Sequence, residues 1–324
     1  MNFTRHQLVR LAAVAVTVLA LSSDCAWSQA TRTIKIVVPT PPGGILDIVA
    51  RLLAEQIRRT GGPTMVIENR PGAGTIVATE AVSRAAPDGS TLLLNASPLV
   101  INPLLRKVNY HPLTSFEPVC ALASSPLVIV VNSASPYRTL GELLNAARAK
   151  PGELTLASIG PGSNFQLEFE ILKRAAKVDV TFVSYPGNGP AINALLGEHV
   201  TSMFGTYSNV VEYLKTGKLR ALVVANRTRA ELLPDIPTGA ESGYKDFEDD
   251  AWFGAFAPAK TPKETVSRIE GWFTAAMQVP DIKAKLAVQG VYPVGTCGAD
   301  FAALIRKQYD EYGRIIREAN IRAE

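Results

Sequence analysis

Four short loops that pair glycine with proline punctuate this chain, and they constrain its fold more than any other feature of the sequence. The loops lie at residues 40–44, 70–74, 160–163 and 185–190. Each loop follows an apolar run that predicts a strand, and each leads directly into a helical pattern. The first N–H groups of a helix have no partner within the helix, and together with the positive end of the helix dipole they favour an anion. The four loops therefore predict a pocket, built mostly of backbone, for a negatively charged molecule.

The loops lack the residues that bind nucleotides. None of them carries the Lys-Ser/Thr pair of a Walker P-loop. The third glycine of a dinucleotide fingerprint would fall on Val77, Phe165 or Ile192, so that fingerprint is absent as well. A carboxylate is smaller and needs only a few N–H groups and hydroxyls, which makes it the predicted ligand. Any one loop, taken alone, is better explained as a tight strand-to-helix turn; the four together favour a site.

Strands and helices alternate along the chain in two successive blocks. The predicted strands lie at residues 33–38, 64–68 and 91–95, and at residues 127–132, 154–157 and 178–183. Alternation of this kind predicts an α/β fold with parallel sheets and right-handed crossovers. All four glycine loops follow strands, two in each block, and ligands of open α/β sheets bind beyond the carboxyl ends of strands.

The length of the chain and its two blocks predict two lobes. Lobe 1 is expected to comprise residues 31–127 and 250–324, and lobe 2 residues 128–249. No flexible linker separates the blocks, so we expect the chain to cross between lobes by strands, with the C-terminal helices returning to the first lobe. The ligand would then lie in a cleft between the lobes, lined by loops from both.

The N-terminus predicts export. Arg5, His6 and Arg10 precede an apolar stretch at residues 11–21, and residues 28–30 supply the small side chains of a cleavage site. This pattern is typical of a secretory signal peptide, here covering residues 1–30. The apolar stretch is shorter than the roughly 20 residues that a membrane-spanning helix needs. We therefore expect a soluble protein of the periplasm.

Composition argues against several classes of function. The formal net charge is +4 and no segment is dense in lysine or arginine, so nucleic acid is not a predicted partner. No H-E-x-x-H, C-x-x-C or G-x-S-x-G motif occurs, which argues against a metal site, a cofactor and catalysis. The alternative is an exported enzyme acting on an organic acid or ester, with Ser158, Ser163 or Ser184 as nucleophile. No sequence signal places a general base beside any of them.

Two cysteines, Cys120 and Cys297, lie beyond the predicted signal peptide. An oxidising compartment permits a disulfide between them. The sequence does not show whether their Cα atoms are close enough, so it does not decide whether the disulfide forms. Two separate buried thiols are the expectation.

Many short motifs occur in the order and spacing of one receptor family. They include PTPPGG-x-x-D-x-x-AR at residues 39–51, ENRPGAG at 68–74, PDG-x-TLL at 87–93, SFEPV at 115–119, G-x-GS at 160–163, Y-x-G-x-GPA at 185–191, GKLRAL at 217–222, LPDIPT at 233–238 and APAKTP at 257–262. Over essentially the whole mature chain the sequence resembles the Bug receptors, the substrate-binding proteins of tripartite tricarboxylate transporters. The resemblance implies a two-lobed, type II periplasmic-binding-protein-like fold. It also implies a non-catalytic receptor that captures a small organic acid for inner-membrane permease subunits.

The resemblance further implies where the ligand lies. One carboxylate would be held near Pro42, Gly43 and Gly44, facing the second-lobe loops at residues 158–163 and 187–191. The predicted ligand-binding residues are Thr40, Pro42, Gly43, Gly44, Ser97, Ser158, Gly160, Gly162, Ser163, Tyr185, Gly187, Gly189, Pro190, Ala191 and Gly205. Asp47 and Arg51 match the family motif. We interpret them as a charge favouring the helix dipole and a surface cation rather than as ligand contacts.

Two departures from the family pattern concern the far end of the ligand. Gly205 stands where the family often has an aspartate, and Gln166 stands at a histidine position. Loss of a carboxylate argues against a cationic or amino-acid ligand and favours a neutral or second anionic end. The loaded receptor could present itself to a sensor kinase instead of a permease, and the sequence does not decide between these partners.

Overall fold

The computed structural model describes residues 33–160 and 163–322. The predicted signal peptide at residues 1–30 lies outside the described residues, as do Pro161 and Gly162 of the third glycine loop. The strands of the described residues, β1 to β10 in chain order, are Ile34–Val38, Met65–Asn69, Thr91–Asn95, Phe116–Asn132, Thr155–Ile159, Thr181–Tyr185, Ser202–Thr206, Leu219–Val224, Asp250–Pro258 and Tyr292–Cys297. The helices, α1 to α10, are Ile45–Arg59, Ile76–Ser83, Pro98–Leu105, Leu140–Ala149, Asn164–Ala176, Asn188–Leu196, Tyr207–Lys215, Lys263–Gln278, Pro280–Val288 and Gly298–Glu318.

The strands form one hydrogen-bonded sheet in the order β2-β1-β3-β9-β4-β7-β5-β6, and β8 and β10 also pair with β4. Strand β1 lies parallel to both β2 and β3, and β5 lies parallel to both β6 and β7. Strand β9 is antiparallel to β3 and β4. The predicted α/β class is confirmed, but the sheet is mixed because β4, β8, β9 and β10 add antiparallel pairs to the expected parallel ones.

Strand β4 is 17 residues long and joins two groups of strands. Its first part, up to Pro126, pairs with β9 and β10. From Leu127 onward it pairs with β7 and β8. The chain returns to the first group through β9, which begins at Asp250. These two passages, one in β4 and one just before β9, connect the two groups of strands.

Helices cover both faces of each strand group because successive strand residues point to opposite sides. In β1, Ile36 and Val38 pack with α1, α8 and α9, whereas Val37 packs with α2, α3 and α10. In the second part of β4, Ile129 packs with α4 and α5, and its neighbours Val128 and Val130 pack with α6 and α7. Helix α1 follows the predicted helical spacing: Val49, Leu53 and Ile57 are fully buried. Among the described residues, no helix combines the length and the apolar character that a membrane span requires.

Cys120 and Cys297 form a disulfide, so the expectation of two separate thiols was wrong. The two residues are 177 positions apart in the sequence. They meet because β10 pairs with β4 in antiparallel register, which sets Cys297 directly opposite Cys120. The bridge fixes the start of α10 to the central strand of the sheet.

Candidate functional site

The first glycine loop shapes the start of α1. Gly43 has a φ of +84°, a conformation that glycine adopts at little cost, and its N–H donates to Asp47 Oδ2 at 3.0 Å. Gly44 has an ordinary φ of −72° and precedes the helix without a side-chain cap. The N–H of Gly43 is therefore committed within the protein. The Gly44 N–H donates to the Pro41 carbonyl at 3.4 Å, so the donors that remain for an anion lie in the first turn of α1.

Asp47 anchors this loop through buried hydrogen bonds. It is 3% exposed and accepts hydrogen bonds from Gly43, from Arg51 and from Asn69, whose side chain also donates to the Thr40 carbonyl. Burial raises the pKa of Asp47, but the bonds from Arg51, Gly43 and Asn69 outweigh it and hold the pKa below its usual value. Asp47 is thus a buried anchor of the loop, which is more than the dipole-favouring charge that the sequence predicted. Asn69, which the sequence analysis did not single out, ties the loop to β2.

We expect Asp47→Asn to destabilise the protein by about 1.5 kcal/mol at neutral pH, because an amide cannot accept charge-assisted hydrogen bonds from three donors. The pKa of Asp47 is depressed in the folded state, so its contribution is present above the usual aspartate pKa and is lost as pH falls through the folded value. Urea unfolding at neutral and acidic pH tests this. Glu55→Gln, which alters an exposed ion pair on the same helix, should leave stability nearly unchanged. An Asp47→Asn deficit that persists unchanged in acid would contradict the assignment.

Thr40 places an unused hydroxyl beside the helix start. Its Oγ1 is buried and has no hydrogen-bond partner among the described residues. A Cβ added at Gly44 would lie 3.3 Å from this oxygen. Buried hydroxyls are normally hydrogen-bonded, so an orphan next to an uncapped helix start indicates a place for a polar ligand atom. Thr40 and Gly44 are therefore the predicted residues that the structure brings together most clearly.

The loop after β5 uses its hydroxyls within the protein. Ser163 caps α5: its Oγ donates to the Ile159 carbonyl at 2.7 Å and accepts from the Gln166 N–H at 3.4 Å. Ser158 is fully buried, and its Oγ donates to the Phe204 carbonyl at 2.7 Å. These bonds give both predicted residues structural partners. Gly162 lies outside the described residues.

We expect Ser163→Ala to cost about 1 kcal/mol of stability, as loss of an N-cap does, and to change ligand affinity by less than about twofold. Thr139→Ala is the matched control, because Thr139 Oγ1 caps α4 in the same way by accepting from the Glu142 N–H at 3.1 Å. Chemical unfolding and calorimetry with a bound acid measure the two effects. A tenfold loss of affinity at unchanged stability would instead make the Ser163 hydroxyl a ligand contact.

The loop after β6 resembles the first loop in leaving a helix start open. Gly187 precedes α6 with extended backbone and no side-chain cap. Apart from its chain neighbours and the backbone of α6, a Cβ placed at Gly187 or at Gly189 would meet no described atom within 4 Å. The Tyr185 carbonyl accepts the Gly160 N–H at 3.2 Å, so the loops after β5 and β6 lie side by side. Pro190 and Ala191 belong to the first turns of α6.

Ser97, Gly205 and Ala191 are enclosed rather than open. Ser97 is 3% exposed at the start of α3, where its hydroxyl interacts with that of Tyr312. Gly205 lies in β7 opposite Val128 and is buried. Ala191 is fully buried. Pro42, in contrast, is exposed on the first loop.

One cavity is lined by none of these loop residues. It measures about 160 Å³ and is lined by residues that include Ser124, Glu168, Asp249, Trp252 and Tyr312, none of which the sequence predicted as ligand contacts. The glycine loops, in contrast, carry the uncapped helix starts and the hydroxyl of Thr40 that has no partner among the described residues. In residues 33–160 and 163–322, no cluster of three or more His, Cys, Asp or Glu side chains could hold a metal ion.

Residues 49–321 match the family described as the tripartite tricarboxylate transporter family receptor. The chain belongs to this receptor family. BugT of Bordetella pertussis is 32% identical to it over 323 residues, which cover 98% of each chain. The predicted family and the non-enzymatic receptor class are thereby confirmed.

Solved structures of similar proteins share the fold. MatC from Rhodopseudomonas palustris, solved with bound malate, is 32% identical with a TM-score of 0.73, and the match covers 88% of this chain and 98% of that one. An R. palustris protein solved with adipate is 28% identical with a TM-score of 0.79, and the match covers 91% and 100%. The receptor has the two-lobed fold of periplasmic binding proteins.

Proposed function

We propose that this receptor captures a small organic acid in the periplasm and delivers it to the permease subunits of a tripartite tricarboxylate transporter. The observation that carries the proposal is the uncapped start of α1 beside the orphan hydroxyl of Thr40. Backbone N–H groups at a helix start hold a carboxylate without any charged side chain. Membership of the receptor family supplies the transport context.

The ligand we propose is a dicarboxylate. Two helices, α1 in the first strand group and α6 in the second, begin at a glycine without a side-chain cap, so each offers donors to one carboxylate. Gly205 provides no carboxylate that would repel a second anionic end. The malate and adipate held by two structurally similar proteins are both dicarboxylic acids.

We infer that the lobes comprise residues 31–127 with 250–324, and residues 128–249. The change of partners along β4 at Leu127 and the start of β9 at Asp250 support these bounds. Lobe closure around the ligand, a hinge motion common in such receptors, would then bring the loops of the two lobes together.

A thermal-shift screen of mono-, di- and tricarboxylates and aromatic acids tests the ligand class. An acid present at 100 times its Kd should add about 2.7 kcal/mol of stability. The diamide of each stabilising diacid is the matched control and should have no effect, since it carries no charge for the helix starts. Recovery of the acid unchanged after prolonged incubation distinguishes a receptor from the enzyme alternative. Stabilisation by the diamides but not by the diacids would refute the proposal.

Export and partner are tested separately. We propose cleavage of a signal peptide near Thr31, which intact mass of the protein from a periplasmic extract would verify. Co-purification of the loaded receptor with multi-spanning permease subunits would support transport. Binding to the periplasmic domain of a sensor kinase in its place would assign the receptor to signalling.

A further inference from the structure

The cavity of about 160 Å³ lies where the two strand groups are joined. Ser124 lines it from β4, three residues before that strand changes partners, and Asp249 lines it immediately before β9. Helix α10 closes one side through Gln308 and Tyr312. Glu168 reaches it from α5. Any movement of one strand group against the other must therefore alter this cavity.

Four of the lining side chains are hydrogen-bonded to one another next to α10. Asp249 accepts from the Gln308 amide and from the Tyr312 hydroxyl, each at 2.9 Å. Gln308 Oε1 in turn accepts from the Trp252 indole at 2.7 Å. This chain of bonds ties the passage before β9 firmly to α10.

Two other polar residues that line the cavity, one on α5 and one on β4, each have a side-chain oxygen without a hydrogen-bond partner among the described residues. Glu168 is 2% exposed, and its Oε2 has no hydrogen-bond partner among the described residues. Ser124 is also 2% exposed, and its Oγ likewise lacks a partner in the part of the chain described. A cavity of this size has room for several water molecules, which can hydrogen-bond to both groups. An ionised carboxylate in such a place would be costly, whereas a neutral carboxyl is tolerated.

The charges around Glu168 reinforce this preference. Burial raises the pKa of Glu168 well above its usual value, and the Asp249 carboxylate raises it further. Glu311 of α10 and Glu248 act in the same direction, while Lys307 of α10 opposes them. Arg227, in the segment after β8, also lines the cavity. On α5 itself, Glu170 pairs with Lys173 at 3.1 Å and Arg174 pairs with Glu318 at 2.7 Å.

Helix α5 belongs to both halves of the molecule. Phe165, Phe169 and Leu172 pack into the core of the second strand group. Leu167, beside Glu168, packs instead with Tyr312 and Ile315 of α10. Glu168 therefore lies where α5 packs against α10, and this packing must loosen when the second strand group moves against the first.

We propose that protonation of Glu168 controls the packing of α5 on α10 at the junction of the two strand groups. The Glu168 carboxyl is neutral while α5 is packed on α10 and ionised when the two helices separate. A carboxylate formed there requires water, so deprotonation favours the loosened junction and protonation favours the packed one. The consequence for ligand capture and release rests on the proposed receptor function. The test therefore uses ligand-free protein, and its failure would leave the receptor function untouched.

Trp252 is the reporter for this test, because it lines the cavity and its emission shifts when water enters. We expect the Trp252 component, identified by difference from Trp252→Phe, to shift to longer wavelength as pH rises from mildly acidic to mildly alkaline. Between the usual and the folded pKa of Glu168 the packed state binds one more proton, so the ratio of packed to loosened protein should fall roughly tenfold per pH unit.

Glu168→Gln should remove this transition and leave the junction packed throughout, while Glu170→Gln, on the same helix but paired with Lys173, should retain it. Infrared spectra of the wild-type protein give a readout that needs no variant: a buried neutral carboxyl should be present at neutral pH. The proposal is overturned if wild type and Glu168→Gln share one pH profile, if the wild type shows no transition, or if no neutral carboxyl is detected.

Discussion

Gly44→Val is expected to weaken binding of the captured acid by about ten- to hundredfold or more, which corresponds to loss of a charge-assisted hydrogen bond worth roughly 1.5–3 kcal/mol. The new Cβ would lie 3.3 Å from Thr40 Oγ1 and 3.5 Å from the Pro41 carbonyl oxygen. The branched side chain must then either displace the loop or occupy the space beside the open N–H donors. Both outcomes remove the carboxylate from the start of α1. Calorimetry with malate, or with the strongest acid of the screen, measures the loss.

Gly141→Val provides the matched control. Gly141 also lies at a helix start near a threonine hydroxyl, with its added Cβ 3.8 Å from Thr139 Oγ1, but that helix is capped and distant in sequence from the four loops. Its substitution should leave affinity unchanged. Normal binding by Gly44→Val together with abolished binding by Asp47→Asn would show that the pocket is not built from backbone.

Removal of the Cys120–Cys297 disulfide is expected to lower the free energy of unfolding by about 2–5 kcal/mol, because the bridge closes a very long loop of the unfolded chain. The sequence separation is 177 residues. The double substitution Cys120→Ala with Cys297→Ala, compared with the wild type in urea, measures the difference.

Reduction of the wild-type disulfide under the same conditions breaks the bridge without changing any side-chain volume, so it is the control for the packing effect of the alanine substitutions. Cys120 is fully buried, so its replacement by alanine adds a small cavity cost that reduction does not. The reduced wild type and the double variant should therefore lose similar stability, with the variant slightly lower. Equal stability of oxidised and reduced protein would contradict the prediction.

The pattern of the sequence was sufficient to predict the helices and parallel strands that depend on local periodicity. In α1, Val49, Leu53 and Ile57 recur at helical spacing and are buried, as expected. In β1, Ile36 and Val38 are buried on one face of the sheet and Val37 on the opposite face. The positions of the glycine loops at the ends of β1, β2, β5 and β6 followed from the same patterns. These features are local, and neighbouring residues suffice to indicate them.

The candidate site could be predicted only in part. Glycine loops at strand ends indicated helix starts that could hold an anion, and Thr40 fell within the predicted set. The commitment of the Gly43 N–H to Asp47 did not follow from the pattern, since an aspartate in a first turn is usually read as a favourable dipole charge. The hydroxyls of Ser158 and Ser163 were likewise predicted for a ligand, whereas the fold uses them as a strand-to-strand bond and a helix cap.

By itself, the sequence determined the strand–helix alternation, the glycine loops at strand ends and the family of the chain, because each depends on residues close together in the chain or on motifs in fixed order. Only the tertiary structure decided the path of β4 through both strand groups, the bridge between Cys120 and Cys297, and the meeting of Glu168 with Asp249. Each of these depends on pairing between segments far apart in sequence, where register and helix packing, rather than local pattern, select the partner.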